Sequence, residues 1–95
     1  MVIVSGHLVV AEHRREAFLS SCRPIVEQGR SAPGCLDFAI SPDLLDPDRV
    51  NVLECWESQE AVDAFRGSGI PDDLGPLVES ASVAEHDVTS TRSLT

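Results

Sequence analysis

The chain has 95 residues, 42% hydrophobic and 24% charged, values that fit one globular domain with a modest core. Sixteen acidic residues against seven scattered basic ones give a formal net charge of −9, which argues against nucleic acid or an anionic membrane surface as a partner. No apolar run approaches the ~20 residues of a membrane span and no signal peptide opens the sequence, so a cytoplasmic protein is expected.

In chain order, residues 2–10 (VIVSGHLVV) predict a first strand rich in β-branched residues. Val2, Val4, Gly6, Leu8 and Val10 face one way, and Ile3, Ser5, His7 and Val9 the other. A helix is expected over 12–31, with Phe18, Leu19, Cys22, Ile25, Val26 and Gly29 as its apolar stripe. Pro24 inside that pattern predicts a kink or a break. Pro33 and Gly34 stop the helix and turn the chain into a second strand over 35–41, with Leu36, Phe38 and Ile40 on one face. SPDLLDPDR (41–49) reads as a hairpin loop, its acidity explained by solvation. The third strand covers 49–57. Ser58 is a suitable N-cap for a helix over 59–67, ended by Gly67 and Gly69. Leu74, Leu77, Val78 and Ala81 have the spacing of a short helix made irregular by Gly75 and Pro76, and 82–89 form the last strand. One domain over 1–90 and a mobile tail over 91–95 are expected.

The order strand, helix, strand, strand, helix, strand predicts an α+β, ferredoxin-like βαββαβ fold with a four-stranded antiparallel sheet. Helices cover one face of such a sheet, yet Ile3, Val9, Leu53 and Cys55 make the opposite face partly apolar as well. The predicted cover is a second copy, sheet against sheet, in a homodimer.

The third strand raises the chemical question. Glu54 shares a face with Val50, Val52 and Trp56, the only tryptophan. A carboxylate there is costly unless it is paired or used. It is either a general base or an acceptor that ties neighbouring elements, with Arg66 or a backbone donor as partner. Trp56 is a core residue or a stacking wall for a planar ligand. His7 is a satisfied core histidine or a proton-transfer group, and His86 on the last strand lies near it if both enter one pocket. Phe38 and Phe65 read as apolar lining. Cys22, Cys35 and Cys55 have neither disulfide nor zinc spacing, and read as small buried apolar residues.

PGCLDF, the Asp- and Pro-rich loop, and LECWESQEAVDAF resemble the antibiotic biosynthesis monooxygenase (ABM) domain family of the dimeric α/β-barrel superfamily. Pro33, Gly34, Cys35, Glu54, Trp56 and the capped helix after them carry the resemblance. It implies a barrel of two protomers, each with a pocket between sheet and helices, and cofactor-independent oxygenation of a small aromatic or quinol-like metabolite without metal or flavin. By position, Trp56 would project into that pocket, with Glu54 on the same wall. His7 and Glu54 are then the candidate catalytic residues, and Trp56, Phe38, Phe65, His86 and Arg66 the candidate substrate-binding ones. The departures are specific. Phe38 stands in place of the common pocket tyrosine, Phe65 in place of the helix histidine, and Val52 in place of the asparagine four residues before the tryptophan. Asn51, one residue away, points to the opposite face. Gly6 and His7 occupy the first-strand position where haem-degrading relatives carry asparagine, so haem degradation is not expected. Two other readings stand beside the oxygenase: proton-transfer isomerase or cyclase chemistry in the same pocket, and a non-catalytic domain that binds a small apolar molecule.

Overall fold

A computed structural model of the chain describes residues 1–67 and 72–95. Its elements are β1 (Val2–Val10), α1 (Arg15–Ser31), β2 (Cys35–Pro42), β3 (Arg49–Trp56), α2 (Gln59–Gly67), a 3-10 helix (Asp72–Leu77) and β4 (Val78–Asp87). The strands form one antiparallel sheet in the order β2-β3-β1-β4, the ferredoxin-like arrangement.

Two boundaries and one strand register differ from expectation, each for a local reason. α1 starts at Arg15 and runs unbroken through Pro24, whose exposed position lets the ring face solvent. β4 begins at Val78, because Val78 pairs with Val10 and Ala81 with Leu8; ladder bonds there override the helical spacing of the apolar residues. The expected roles of Gly69 and of the Leu74 side chain fall outside the described positions. In β2 the register shifts between Cys35 and Asp37, so Leu36 leaves the face shared by Phe38 and Ile40 and is exposed. Ser58 caps α2 as expected, its hydroxyl accepting the Ala61 N–H at 3.2 Å.

Apolar burial under the helices is split in two. Val2, Val4, Ile25, Phe38, Trp56, Val62 and Phe65 form one cluster. Val10, Phe18, Cys22 and Val50 form the other. α1 bridges them with Phe18, Cys22, Ile25 and Gly29 turned to the sheet. Gly29 is required there: a Cβ would lie 2.5 Å from Cδ2 of Phe38. Gly6 in β1 is required for a similar reason, since its Cβ would run into the Ser82 carbonyl of β4.

The β2–β3 hairpin is more ordered than its composition implied. Asp43 is not merely solvated. Its carboxylate accepts the N–H groups of Leu45 at 3.1 Å and Asp46 at 2.9 Å, and the Asn51 amide at 2.9 Å. Arg15 at the start of α1 donates to the carbonyls of Asp43, Asp46 and Arg49 at 3.3, 2.8 and 3.3 Å. The Asn51 amide first, then the Asp46 and Leu45 N–H groups, hold the Asp43 carboxyl at about 2, below the ordinary 3.8. A carboxyl depressed in the folded state adds stability that is complete above its unfolded value and vanishes as pH falls through the folded one. Thermal melts of the wild type and Asp43→Ala should therefore differ above about pH 4 and converge as the pH approaches about 2. A gap independent of pH would contradict this account of the hairpin.

Candidate functional site

β3 delivers Glu54 and Trp56 to the helix-covered face. Register places Val4 opposite Glu54 and Val2 opposite Trp56. The indole is wholly buried, in contact with Phe65 (ring centroids 5.2 Å apart) and edge-on to Phe38 (6.4 Å). Phe38 and Phe65 also meet edge to face at 5.6 Å. Three elements thus place one aromatic ring each into a single knot.

The knot has one polar edge. Trp56 Nε1 donates to Glu54 Oε1 at 2.9 Å. Arg66, from the last turn of α2, donates through Nη2 to both carboxylate oxygens, at 3.1 and 3.2 Å. Glu54 is 4% exposed and is the one buried charged residue among the described residues. Taking a carboxylate out of water costs several kcal/mol, which three charge-assisted hydrogen bonds offset. The carboxylate on an apolar strand face is therefore paired, and with the partner that sequence reasoning named first.

Beside this edge, between the two core clusters, lies a cavity of about 470 Å³. Val4, Leu8, Phe38, Ile40, Val52 and Val83 supply its sheet wall, and Phe18, Cys22 and Ile25 its α1 wall. Its charged groups, Glu54, Arg66 and Glu85, gather at one end. Glu85 sits opposite Val4 and accepts the Gln59 amide at 3.2 Å, linking α2 to the edge strand. Burial pushes the Cys22 thiol up to about 11, so it stays protonated and serves as apolar wall rather than nucleophile. Cys35 and Cys55 are raised by burial too, and all three cysteines are free. A broader cleft of about 660 Å³ between the end of α1 and the start of α2 is rimmed by exposed Glu57 and Glu60. Among the described residues no buried polar group lines it.

The structure brings Glu54, Arg66 and Phe38 together at the cavity and leaves the other candidates out. Trp56 and Phe65 do not line it; the indole backs the wall as a core residue instead of forming a stacking surface. His7 pairs with Asn51 and Ser82, which puts it on the opposite face of the sheet from Glu54. His86 pairs with Ile3 on that same outer face, exposed to solvent. Four residues of strand separate the two imidazoles, about 13 Å. The histidines therefore neither share the pocket nor meet one another. Asn51, also on the outer face, is committed to Asp43. Sequence reasoning missed Glu85, whose signal was its even spacing with Val83 on the last strand. Among the described residues, no group of three His, Cys, Asp or Glu side chains converges in a way that would hold a metal ion. No described helix is long and apolar enough to cross a membrane.

With this geometry in hand, the profile of the family "antibiotic biosynthesis monooxygenase" matches residues 1–70. The chain belongs to the antibiotic biosynthesis monooxygenase family. The matched ABM region holds β1 through α2, and so every contact of the Glu54–Trp56–Arg66 group. A Nitrosomonas europaea structure bearing the same family name superposes with a TM-score of 0.85 at 20% identity, covering 95% of this chain and 100% of that one. One from Deinococcus radiodurans gives 0.85 at 22% identity over 100% and 99%. Rv0793 of Mycobacterium tuberculosis gives 0.83 at 20% over 97% and 98%. At these identities the likeness shows a shared ABM fold. An uncharacterised Synechocystis protein, sll1783, is 26% identical over 62 residues, 65% of this chain; the match spans less than half of that relative, 42%.

Proposed function

We propose that the protein is a homodimeric, cofactor-independent ABM-type monooxygenase that oxidises a small aromatic or quinol-like metabolite in the cavity beside Glu54. The observation that carries this reading is a held carboxylate, Glu54, at one end of an otherwise apolar chamber large enough for a few fused rings. In the reaction, Glu54 removes a proton from an activated C–H of the substrate. The resulting carbanion passes an electron to O2, the radical pair combines to a peroxide anion that takes the proton back from Glu54, and loss of water, with the second hydrogen of that carbon, leaves a carbonyl. One oxygen atom enters the product and the other leaves as water. Trp56 and Arg66 keep the carboxylate oriented, and the apolar walls flank the carbanion with low-dielectric surface.

The test is oxygen uptake with a panel of anthrone-like and quinol substrates. Wild type should consume O2, and Glu54→Gln should lower the rate about a hundredfold or more. Turnover that continues under nitrogen would replace the oxygenase with an isomerase or cyclase using the same base.

A second reading, a non-catalytic small-molecule-binding domain, draws on the commitment of Glu54 to two donors and on the outward position of His7. Tight binding of an apolar ligand with no turnover in air or nitrogen would favour it. The proposed dimer buries the outer face of the sheet, where Ile3, Leu53 and Cys55 lie across adjacent strands.

A further inference from the structure

On the helix-covered face, side chains line up in rows across the strands. One row is Phe38, Glu54, Val4 and Glu85, and the next is Ile40, Val52, Gly6 and Val83. Gly6 brings no side chain between Val52 and Val83, and its neighbours on this face, Val4, Leu8, Val52 and Val83, all line the cavity of about 470 Å³. The floor of the chamber is thus apolar. Its charged end lies one row further on, ~6.6 Å along the strands, where Glu54 of β3 and Glu85 of β4 flank Val4. At ~4.8 Å per strand, the positions that carry the two carboxylates are about 10 Å apart.

The two carboxylates are not equivalent. Glu54 is buried and bonded to Arg66, whose guanidinium is the one cation among the described residues that line the cavity. Glu85 is exposed at the mouth beside Val83, and its described polar partner is the uncharged Gln59 amide. No Arg or His among the described residues pairs with it. Arg66 therefore neutralises Glu54, and Glu85 leaves the charged end of the cavity with one surplus negative charge. The formal net charge of the chain, −9, has the same sign. An acidic ligand entering this end meets like charge beside a low-dielectric wall, and an uncharged one does not.

We infer that Glu85 is a specificity-determining residue, which makes the cavity select uncharged planar aromatics and reject those that carry a carboxylate or phosphate. The inference rests on the proposal above that this cavity is the substrate site. Because Glu85 is exposed, water and salt weaken the repulsion, so the discrimination it adds is about tenfold at low salt rather than absolute.

Isothermal titration calorimetry with naphthol and naphthoate, which share one ring system, tests it at neutral pH and low ionic strength. Wild type should bind naphthol more tightly. Part of that preference is the cost of burying any carboxylate, so the deciding quantity is its change on substitution. Glu85→Gln keeps an oxygen for Gln59 and should narrow the naphthol-to-naphthoate affinity ratio about tenfold. Glu85→Lys should narrow it further, with circular dichroism showing that both variants are folded. Added salt should narrow the wild-type ratio and leave that of Glu85→Gln nearly unchanged. A ratio that is the same in wild type and both variants would overturn the inference, whereas oxygen uptake would still support the oxygenase. A ratio that narrows as expected in a protein that consumes no oxygen keeps the inference and removes the oxygenase. Binding of neither probe would overturn the inference together with the cavity as substrate site.

Discussion

Trp56→Ala should lose about 3–5 kcal/mol of folding stability, the range for deleting a fully buried large aromatic. For a small domain with about 5–15 kcal/mol in total, that is enough to leave a substantial unfolded population at 37 °C. Two effects add. The cavity opens where Phe38 and Phe65 now close on the indole at 6.4 and 5.2 Å, and Glu54 Oε1 loses its indole donor. Trp56→Phe separates them by keeping most of the ring packing and removing the N–H. It should cost about 1.5–3 kcal/mol, the range for a hydrogen bond to a charged group. Urea titrations followed by far-ultraviolet circular dichroism measure both variants. In the wild type the same titration can be followed by fluorescence, since the chain has one Trp and no Tyr. A Trp56→Phe variant as stable as wild type would show that the indole donor does not help hold the carboxylate.

Much of this arrangement was legible before any coordinates. The alternation of Val2, Val4, Leu8 and Val10, and of Val50, Val52, Glu54 and Trp56, defines two strands and their faces. Phe18, Cys22 and Ile25 mark the face that α1 turns to the sheet, and Ser58 marks the start of α2. Parity also separated His7 from Val4 and Leu8. What parity lacks is depth and partnership. It put Trp56 on the pocket side, yet whether an indole lines a cavity or supports its wall depends on where Phe38 and Phe65 arrive from other elements. Parity also put His7 with Ile3 and Val9 on the face expected to lack helices, and the register keeps the imidazole there, away from the Glu54 site. Val78 and Ala81 misled because their spacing fits a helix, whereas pairing with Val10 and Leu8 makes them strand. In the hairpin the missed signal was local: an aspartate whose side chain reaches the N–H groups two and three residues ahead orders a turn instead of only solvating it.

The second large effect is expected at Arg66. Arg66→Met keeps most of the side-chain stem and removes the guanidinium, leaving Glu54 with the indole as its remaining described donor. Breaking a fully buried ion pair from one side costs about 3–5 kcal/mol, because the surviving charge has lost its partner. Here the Arg66 side chain is 40% exposed, so water can partly replace it, and the expected loss is about 1–3 kcal/mol. The charge explanation has a clean control. In a Glu54→Gln background the buried group is neutral and still offers a carbonyl oxygen to Trp56, so removing Arg66 should cost far less. The double-mutant cycle should return a coupling of about 1–2 kcal/mol. Equal costs in the two backgrounds would mean that Arg66 acts through its stem packed on α2 and the sheet, and that the carboxylate is held by the indole. The distinction bears directly on the proposed reaction. If the coupling is present, Arg66 is what keeps the Glu54 carboxylate ordered at the edge of the cavity, and under the proposed oxygenase reading Arg66→Met should slow oxygen uptake through a misplaced Glu54.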